Sequence, residues 1–356
     1  MNIYVLNKNF DVVGVVDDYT SVIWTTRYFT KGDFELFLSA SKSNIELLQK
    51  DYYLVRENDV KSNCYKNVMI IRNIQIQTDE EQGDNLIVTG YCLKSILTRR
   101  VIVNQTILNG RVENCIKQLI NENIIEPTDT GRAINNFVFG VNSLINTHSM
   151  SLQVTGKNLE ETISEICNSY GYGYDVYIND NKQFVFYLYE GANRSYSQEE
   201  NPHVVFSSEF DNLLTSDFIS NADNFANVAI VAGEGEGVAR KKAVAGNVTG
   251  LERFEVFIDS RNSSTNEGAI SDSEYNTMLV EEGYEALQEH IVTTSFEGDI
   301  DNTLNYTINK DYFLGDLVQV ENDYKISAQT RIIEVIESED ENGANIITTF
   351  SNMEGV

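Results

Sequence analysis

The sequence predicts a β-rich α+β fold, with two antiparallel β domains on either side of an inserted α+β region. Strand-like runs separated by turn signals occupy residues 1–105, helical periodicity appears within residues 106–205, and strand-like runs return in residues 206–356. The 356 residues exceed the usual size of a single core, and only two prolines interrupt them. We therefore expect two or three tightly joined domains with these boundaries.

The first block, residues 1–105, has strand spacing typical of an antiparallel barrel or sandwich. Gly32–Leu38 alternates polar and apolar residues with a period of two, which indicates a half-buried strand. A short helix is predicted at Asn44–Leu48, and Glu80–Asp84 has the composition of a hairpin loop. The other strand-like runs are Met1–Leu6, Val12–Val16, Ile23–Tyr28, Tyr52–Glu57, Asn67–Gln77 and Asn85–Cys92.

Residues 106–205 change from strand to helix periodicity. Apolar residues recur at helical spacing in Arg111–Asn123 and again in Leu159–Tyr170, where Asn158 is a candidate N-cap and Gly171 a candidate end. Two aromatic-rich strands, Tyr172–Ile178 and Gln183–Tyr189, follow around an Asn-Asp-Asn turn. Helices followed by a hairpin indicate an α+β unit.

The third block, residues 206–356, returns to strands around one predicted helix near residues 271–293. Ser271 and Glu274 have the spacing of a capping box at the start of that helix. The predicted strands are Val204–Phe210, Phe225–Gly233, Leu251–Ile258, Asp301–Leu304, Leu317–Glu321, Arg331–Glu339 and Asn345–Phe350.

The charge balance is strongly acidic, with 54 acidic against 26 basic residues and a net charge of −28. This charge repels nucleic-acid phosphates, so we expect no specific binding of DNA or RNA. Two interpretations of the acidity stay open. It keeps the protein soluble, or it lines a channel through which DNA passes without binding.

The cysteines and the apolar segments indicate where the chain is made. Cys64, Cys92, Cys115 and Cys167 form no CxxC pair and are predicted to be free thiols, which fits a reducing compartment. The N-terminus lacks the basic and apolar regions of a signal peptide, and no apolar stretch approaches the roughly 18 residues of a membrane span. We expect no membrane association.

The motifs of common enzymes and metal sites are absent from the sequence. His148, His203 and His290 stand far apart, with no HExxH pattern, and no GxSxG elbow occurs. Adjacent carboxylates such as Glu160-Glu161 are expected on solvated faces of so acidic a chain. We therefore predict no catalytic residues, no cofactor and no metal, and hence a protein that is not an enzyme.

A glycine-rich loop is the most conspicuous local motif. Gly233, Gly235 and Gly237 alternate with glutamates directly after a predicted strand, and the basic triplet Arg240, Lys241 and Lys242 follows. The spacing is GxGxG and not the GxGxxG of dinucleotide sites, and the glutamates would repel a pyrophosphate. We expect a tight connection whose glycines adopt positive φ, followed by a cationic patch that complements an acidic neighbouring subunit. These six residues are the predicted interaction site.

An ordered set of motifs resembles a known family. Those of the first block are Trp24–Tyr28, Gly32–Leu36, Asp51–Arg56, Ile70–Ile74, Leu86–Tyr91 and Leu97–Arg100. The segment Asn224–Gly237 with Arg240, and later Leu314–Val318, continue the set. Together they resemble the Gp37-like tail proteins of siphoviruses and of prophages in Gram-positive hosts. They resemble more distantly the baseplate hub proteins of contractile tails.

The resemblance implies a fold and a role. It implies that residues 1–105 and 206–356 are barrel-like tube domains, separated by the α+β insertion. Three copies would form a homotrimeric ring of pseudo-sixfold symmetry that joins a sixfold tail tube to a central spike or fibre. The implied partners are further copies of the chain, a tail tube or distal tail ring protein, a spike or fibre protein and other baseplate proteins. The implied location is the baseplate of a virion or tail-like particle, such as a bacteriocin, assembled in the bacterial cytoplasm.

Two other classes of function remain as alternatives. A tail-associated cell-wall hydrolase would need paired carboxylates in a cleft. A module that binds host-surface carbohydrate is suggested by the aromatic strands of Tyr172–Tyr189.

Overall fold

The structure is a computed structural model and describes most of the chain. The described residues are 2–57, 60, 64–79, 83–142, 144, 148–215, 217–265, 269–299 and 305–351. The predicted strand Asp301–Leu304 lies outside these residues, as does most of the predicted loop Glu80–Asp84.

The first block forms an antiparallel sheet in the order β3-β4-β7-β6-β5-β1-β2. Its elements are β1 (Ile3–Leu6), β2 (Val12–Val16), β3 (Tyr19–Arg27), β4 (Asp33–Ser39), α1 (Lys42–Leu47), β5 (Tyr53–Arg56), β6 (Met69–Asp79) and β7 (Gly83–Cys92). The period-two alternation in β4 buries Phe34, Leu36 and Leu38, as predicted. They join side chains from the other strands around Trp24 in one core.

The inserted region packs two helices against short sheets. Its elements are β8 (Thr106–Arg111), α2 (Val112–Ile120), β9 (Phe137–Phe139), β10 (Ser149–Val154), α3 (Leu159–Tyr170), β11 (Gly173–Ile178) and β12 (Phe184–Tyr189). The caps of α3 are formed as predicted. The Asn158 side chain accepts from the N–H groups of Glu160 and Glu161, and Gly171 ends the helix with a φ of 71°. The apolar faces of α2 and α3 share one core with the hairpin of β11 and β12.

The third block contains two distinct parts. Its elements are β13 (Val205–Ser207), β14 (Asp217–Asn221), β15 (Val228–Ala232), β16 (Lys242–Ala245), β17 (Glu255–Asp259), α4 (Asp272–Glu289), β18 (Thr293–Asp299), β19 (Leu317–Glu321), β20 (Ser327–Asp340) and β21 (Gly343–Phe350). The capping box of Ser271 and Glu274 is formed, and α4 ends at Glu289, before the β-branched run that enters β18. Strands β15 to β17 form a separate sheet covered by α4.

The first and third blocks share one sheet. Strand β20 pairs antiparallel with β3, from Glu334 opposite Arg27 to Asp340 opposite Ser21. The described strands of this 13-stranded sheet run from β14 at one end to β2 at the other, and no barrel closure is seen in them. The β-rich α+β class is thus confirmed, while barrel-like closure stays a prediction.

In the part of the chain that the structure describes, no helix combines the length and the apolar character needed to cross a membrane.

Candidate interaction sites

The glycine loop lies between β15 and β16 and is held by its own backbone. The Gly233 N–H donates to the Lys241 carbonyl at 2.9 Å, and the Lys241 N–H donates to the Glu234 carbonyl at 2.9 Å. Gly235 and Gly237 have positive φ, as predicted. Gly233 does not. A Cβ atom there would lie 2.1 Å from the Tyr275 hydroxyl oxygen, so glycine is required by the approach of α4.

The basic triplet is divided between internal and external roles. Arg240 donates to the carbonyl of Gly233 at 2.9 Å and pairs with Asp259. Lys241 pairs with Glu234 at 2.9 Å and with Asp272 at 2.7 Å. Lys242 is exposed, and no carboxylate of the described residues lies within ion-pair distance of it. A single free cation therefore remains of the patch that the sequence suggests.

An open hollow of about 450 Å³ lies over this loop. The Thr265 backbone N–H donates to Glu234 and, with the Lys241 ammonium, lowers the pKa of that carboxyl. The Glu234 N–H is bonded to the Tyr275 hydroxyl at 2.9 Å. The side chains of Glu234 and Glu236 line the hollow, and their carboxylates would repel a phosphate, which argues against a nucleotide site.

The side chain of Tyr28 lies where the first block, the insert and the third block meet. Its ring is fully buried between Gly173 and Gly315, and a Cβ at either glycine would lie 2.2 Å from a ring carbon. Its hydroxyl donates to the Gly171 carbonyl at 3.1 Å and accepts from the Gly191 N–H at 3.2 Å. Burial raises the pKa of this phenol to about 12. One aromatic side chain thus touches all three regions.

A buried polar cluster lies beside Tyr28. The Lys94 ammonium donates to the carbonyls of Arg27 at 2.6 Å, Thr30 at 3.2 Å and Tyr28 at 3.3 Å. Glu160 of α3, which is 1% exposed, accepts from Thr30, from Lys31 and from the Tyr174 hydroxyl. This cluster ties the first block to the insert.

The burial of Lys94 was not predicted, because a lysine within an apolar run usually exposes its ammonium group to solvent. The leucines and isoleucines around Lys94 predict that this segment is buried. They do not identify the three carbonyls that accept hydrogen bonds from the ammonium group.

The carboxylate of Asp175 also faces this cluster. Burial raises the pKa of Asp175, and the Lys94 ammonium opposes the shift.

The cysteines and histidines contribute to packing. None of the four cysteines forms a disulfide, as predicted, and burial raises the pKa of the Cys92, Cys115 and Cys167 thiols. The His148 ring lies beside the Tyr170 and Tyr172 rings, and the rings of His203 and His290 bond backbone carbonyls. Among the described residues, no group of three or more histidine, cysteine, aspartate or glutamate side chains is arranged to hold a metal.

Comparison with known families identifies the relatives of this fold. The model of the family described as Siphovirus ReqiPepy6 Gp37-like protein matches residues 2–350. The chain belongs to this family. The resemblance inferred from the ordered motifs is thereby confirmed. No curated protein matches the chain.

Solved structures of tail proteins share the fold over almost the whole chain. The tail protein from Neisseria meningitidis MC58 superposes with a TM-score of 0.57 at 14% identity, over 98% of this chain and 96% of that one. The 43 kDa tail protein of prophage MuSo2 from Shewanella oneidensis gives 0.56 at 11% identity, over 99% and 98%. Prophage tail protein gp18 from Listeria monocytogenes EGD-e gives 0.55 at 12% identity, over 100% and 96%. This Gp37-like chain therefore has the fold of phage and prophage tail proteins.

Proposed function

We propose that the protein is a structural hub subunit in the baseplate of a phage tail or tail-like particle. In this proposal three copies form a pseudo-sixfold ring that joins the tail tube to a central spike or fibre. The observation that carries it is the β3–β20 pairing, which places two β units side by side within one chain. Three such chains supply six β units around a threefold axis.

The packing of each β unit supports a tube role. In the first unit, side chains from β1 to β7 meet in a single core around Trp24, as in a sheet that curls toward a barrel. In the second unit, Phe206, Tyr312 and Phe350 centre a separate core. We propose that these units are the tube domains within residues 1–105 and 206–356, with residues 106–205 on the outside of the ring.

The junction between the two units is suited to a permanent joint. Arg27 pairs with Glu334 across the seam, and Arg56 pairs with Glu337 at 2.9 Å with both side chains 19% exposed. The ends of the shared sheet at β2 and β14 have partners on one side only among the described strands. Such edges pair readily with other chains, which favours assembly.

The proposed partners follow from this position. They are two further copies of the chain, a tail tube or distal tail ring protein, a spike or fibre protein and other baseplate proteins. Assembly would take place in the host cytoplasm. The family and the internally bonded glycine loop favour a structural role without catalysis.

The experiment is a measurement of mass and shape on the purified protein. Light scattering should give three times the chain mass of 40.3 kDa, and negative-stain images should show a ring. A stable monomer at high concentration in physiological salt would contradict the hub proposal. Degradation of purified cell walls by the protein would contradict its non-enzymatic part.

A further inference from the structure

An open hollow of about 480 Å³, here called the junction hollow, is lined by side chains of the first block, the insert and the third block. Its volume is in the range of small-molecule sites. Beside it the Ala192 N–H donates to the Asp316 carboxylate at 2.7 Å, and the Leu317 N–H donates to the Ala192 carbonyl at 3.0 Å. These bonds join the insert to the third block, so the hollow is formed within one chain.

One face of the β11–β12 hairpin supplies tyrosine rings and a carboxyl group to the junction hollow. Asp175 lies directly opposite Tyr187, and Tyr189 follows two residues later on the same face. The centres of the Tyr187 and Tyr189 rings are 5.6 Å apart. All three side chains line the hollow and are here called the tyrosine face. The other face of the hairpin packs into the core of the insert.

The polar atoms of the tyrosine face are available to a ligand. Asp175 Oδ1 accepts from the Val176 N–H at 2.8 Å, and the second carboxyl oxygen bonds to no described residue. The hydroxyl groups of Tyr187 and Tyr189 also make no hydrogen bond to a described residue, and neither is sealed from solvent. The face therefore offers one free acceptor and two hydroxyl groups that can donate or accept.

The rim of the junction hollow adds a further ring and two carboxamides. Phe313 of the third block is 43% exposed, and the Arg194 guanidinium carbon lies 5.9 Å from the centre of its ring. The side chains of Asn67 and Asn309 line the rim and bond to no described residue. The hollow thus combines apolar ring surface with convergent hydrogen-bonding groups.

The charges around the junction hollow are of both signs. Arg194 is paired with Asp316 at 2.6 Å. Lys66, which is exposed at the rim, and Asp175 of the tyrosine face are of opposite sign. The chain as a whole has a net charge of −28, which repels acidic polymers. An uncharged ligand is therefore favoured over a nucleic acid or another polyanion.

We propose that the junction hollow binds a short neutral saccharide. The C–H faces of a sugar ring pack on aromatic rings, and its hydroxyl groups donate to carboxyl and carboxamide oxygens and accept from phenols. A peptide partner is usually bound along an open strand edge or in an apolar groove, whereas this hollow presents polar side chains between rings. Because the site lies within one chain, the inference goes beyond the hub proposal and does not depend on ring formation.

The test begins with binding of the labelled full chain to an array of bacterial surface saccharides. The saccharide that binds best is then titrated in free form by saturation-transfer NMR. Asp175→Asn can keep the bond to Val176 through its oxygen, but it presents an NH₂ group in place of the free acceptor. We expect its affinity to fall by about tenfold, as for one lost hydrogen bond. Phe313→Ala removes the ring at the rim and should also weaken binding.

The matched controls are Asp180→Asn, in the turn of the same hairpin, and Phe210→Ala, at a ring that is 48% exposed; neither residue lines the junction hollow. Both should bind as the unmodified chain does. Circular dichroism and thermal melting verify the fold of all four variants. If no saccharide binds, or if Asp175→Asn and Phe313→Ala bind normally, the inference is wrong. A peptide that binds where no saccharide does, with loss in the same two variants, would assign the hollow to a protein partner and also overturn it.

Discussion

The inserted region meets its neighbours on two sides, and the two contacts differ in kind. Toward the first and third blocks it presents Gly173 against the buried Tyr28 ring and the buried Glu160 carboxylate against Thr30 and Lys31. Toward α4 it borders an open cleft of about 330 Å³, which is lined by side chains of both. In that cleft Glu165 of α3 faces Glu282 and Glu285 of α4, and Lys157 pairs with Glu165 at 3.1 Å.

The two contacts differ in whether their charged groups have bonding partners. At the Tyr28 junction each buried charge has bonding partners, so separating the regions would leave unsatisfied groups in the interior. At the α4 cleft carboxylates of like sign face one another with one lysine between them, so the contact is weakened by ionisation. The first contact is thus expected to be a fixed joint and the second to respond to pH.

The largest expected effect is the removal of Lys94. Lys94→Met deprives the Arg27, Tyr28 and Thr30 carbonyls of their shared donor inside the junction. We expect the free energy of unfolding to fall by about 3–5 kcal/mol, the range for breaking a buried charged network. Urea denaturation measures it. The control is Lys182→Met, which removes an exposed ion pair with Asp11 and should lower the free energy of unfolding far less. Equal losses would mean that the junction is not the fixed joint.

A smaller loss is expected when the glycine packing of Tyr28 is filled. Gly315→Ala places a methyl group 2.2 Å from the Tyr28 ring at a φ of 96°. Overpacking and backbone strain together should cost about 3 kcal/mol. Gly343→Ala is the matched control, because Gly343 also has positive φ but no heavy atom lies within 4 Å of the added carbon. The difference between the two variants in urea denaturation isolates the contribution of the ring contact, and its absence would refute the role of Tyr28.

The residues that make these two contacts show where sequence analysis stops. The helix at Leu159–Tyr170, its Asn158 cap and the hairpin that follows are set by local periodicity and turn chemistry, so they were predicted. The β3–β20 pairing joins residues about 300 positions apart, and no local pattern specifies its register. A tyrosine at position 28 looks like any strand residue until Gly173 and Gly315 are brought to its two faces.

The glycine loop was predicted in part. Its composition indicated a tight turn, and Gly235 and Gly237 have the expected backbone. Arg240 pairs with Asp259 and Lys241 pairs with Asp272, and only the fold brings these aspartates close. The basic triplet is visible in the sequence, but the sequence does not show which of its side chains stays free. The six-residue interaction site therefore stays a prediction, in which Lys242 is the residue best placed to meet a partner.

The smallest expected effect concerns the α4 cleft and its response to pH. Burial, then repulsion from Glu282, raises the pKa of Glu285 from 4.5 to about 7; Lys157 opposes this shift, and Glu281 and Glu165 add to it. Between pH 4.5 and 7 the folded chain keeps this proton while the unfolded chain loses it. Stability therefore falls as pH rises through this window and levels off above it.

Replacing the carboxyl group of Glu285 should remove this dependence of stability on pH. Glu285→Gln should be more stable than the unmodified chain at pH 8, by roughly 2 kcal/mol after allowance for solvent screening, and should show a flatter stability profile between pH 5 and 7. Thermal melts across that range measure it, and hydrogen exchange in α4 locates it. Glu161→Gln, on the exposed face of α3, should keep the original profile. If stability depends on pH in Glu285→Gln as it does in the unmodified chain, the charges of the cleft do not affect the contact. The two sides of the insert would then differ in packing alone.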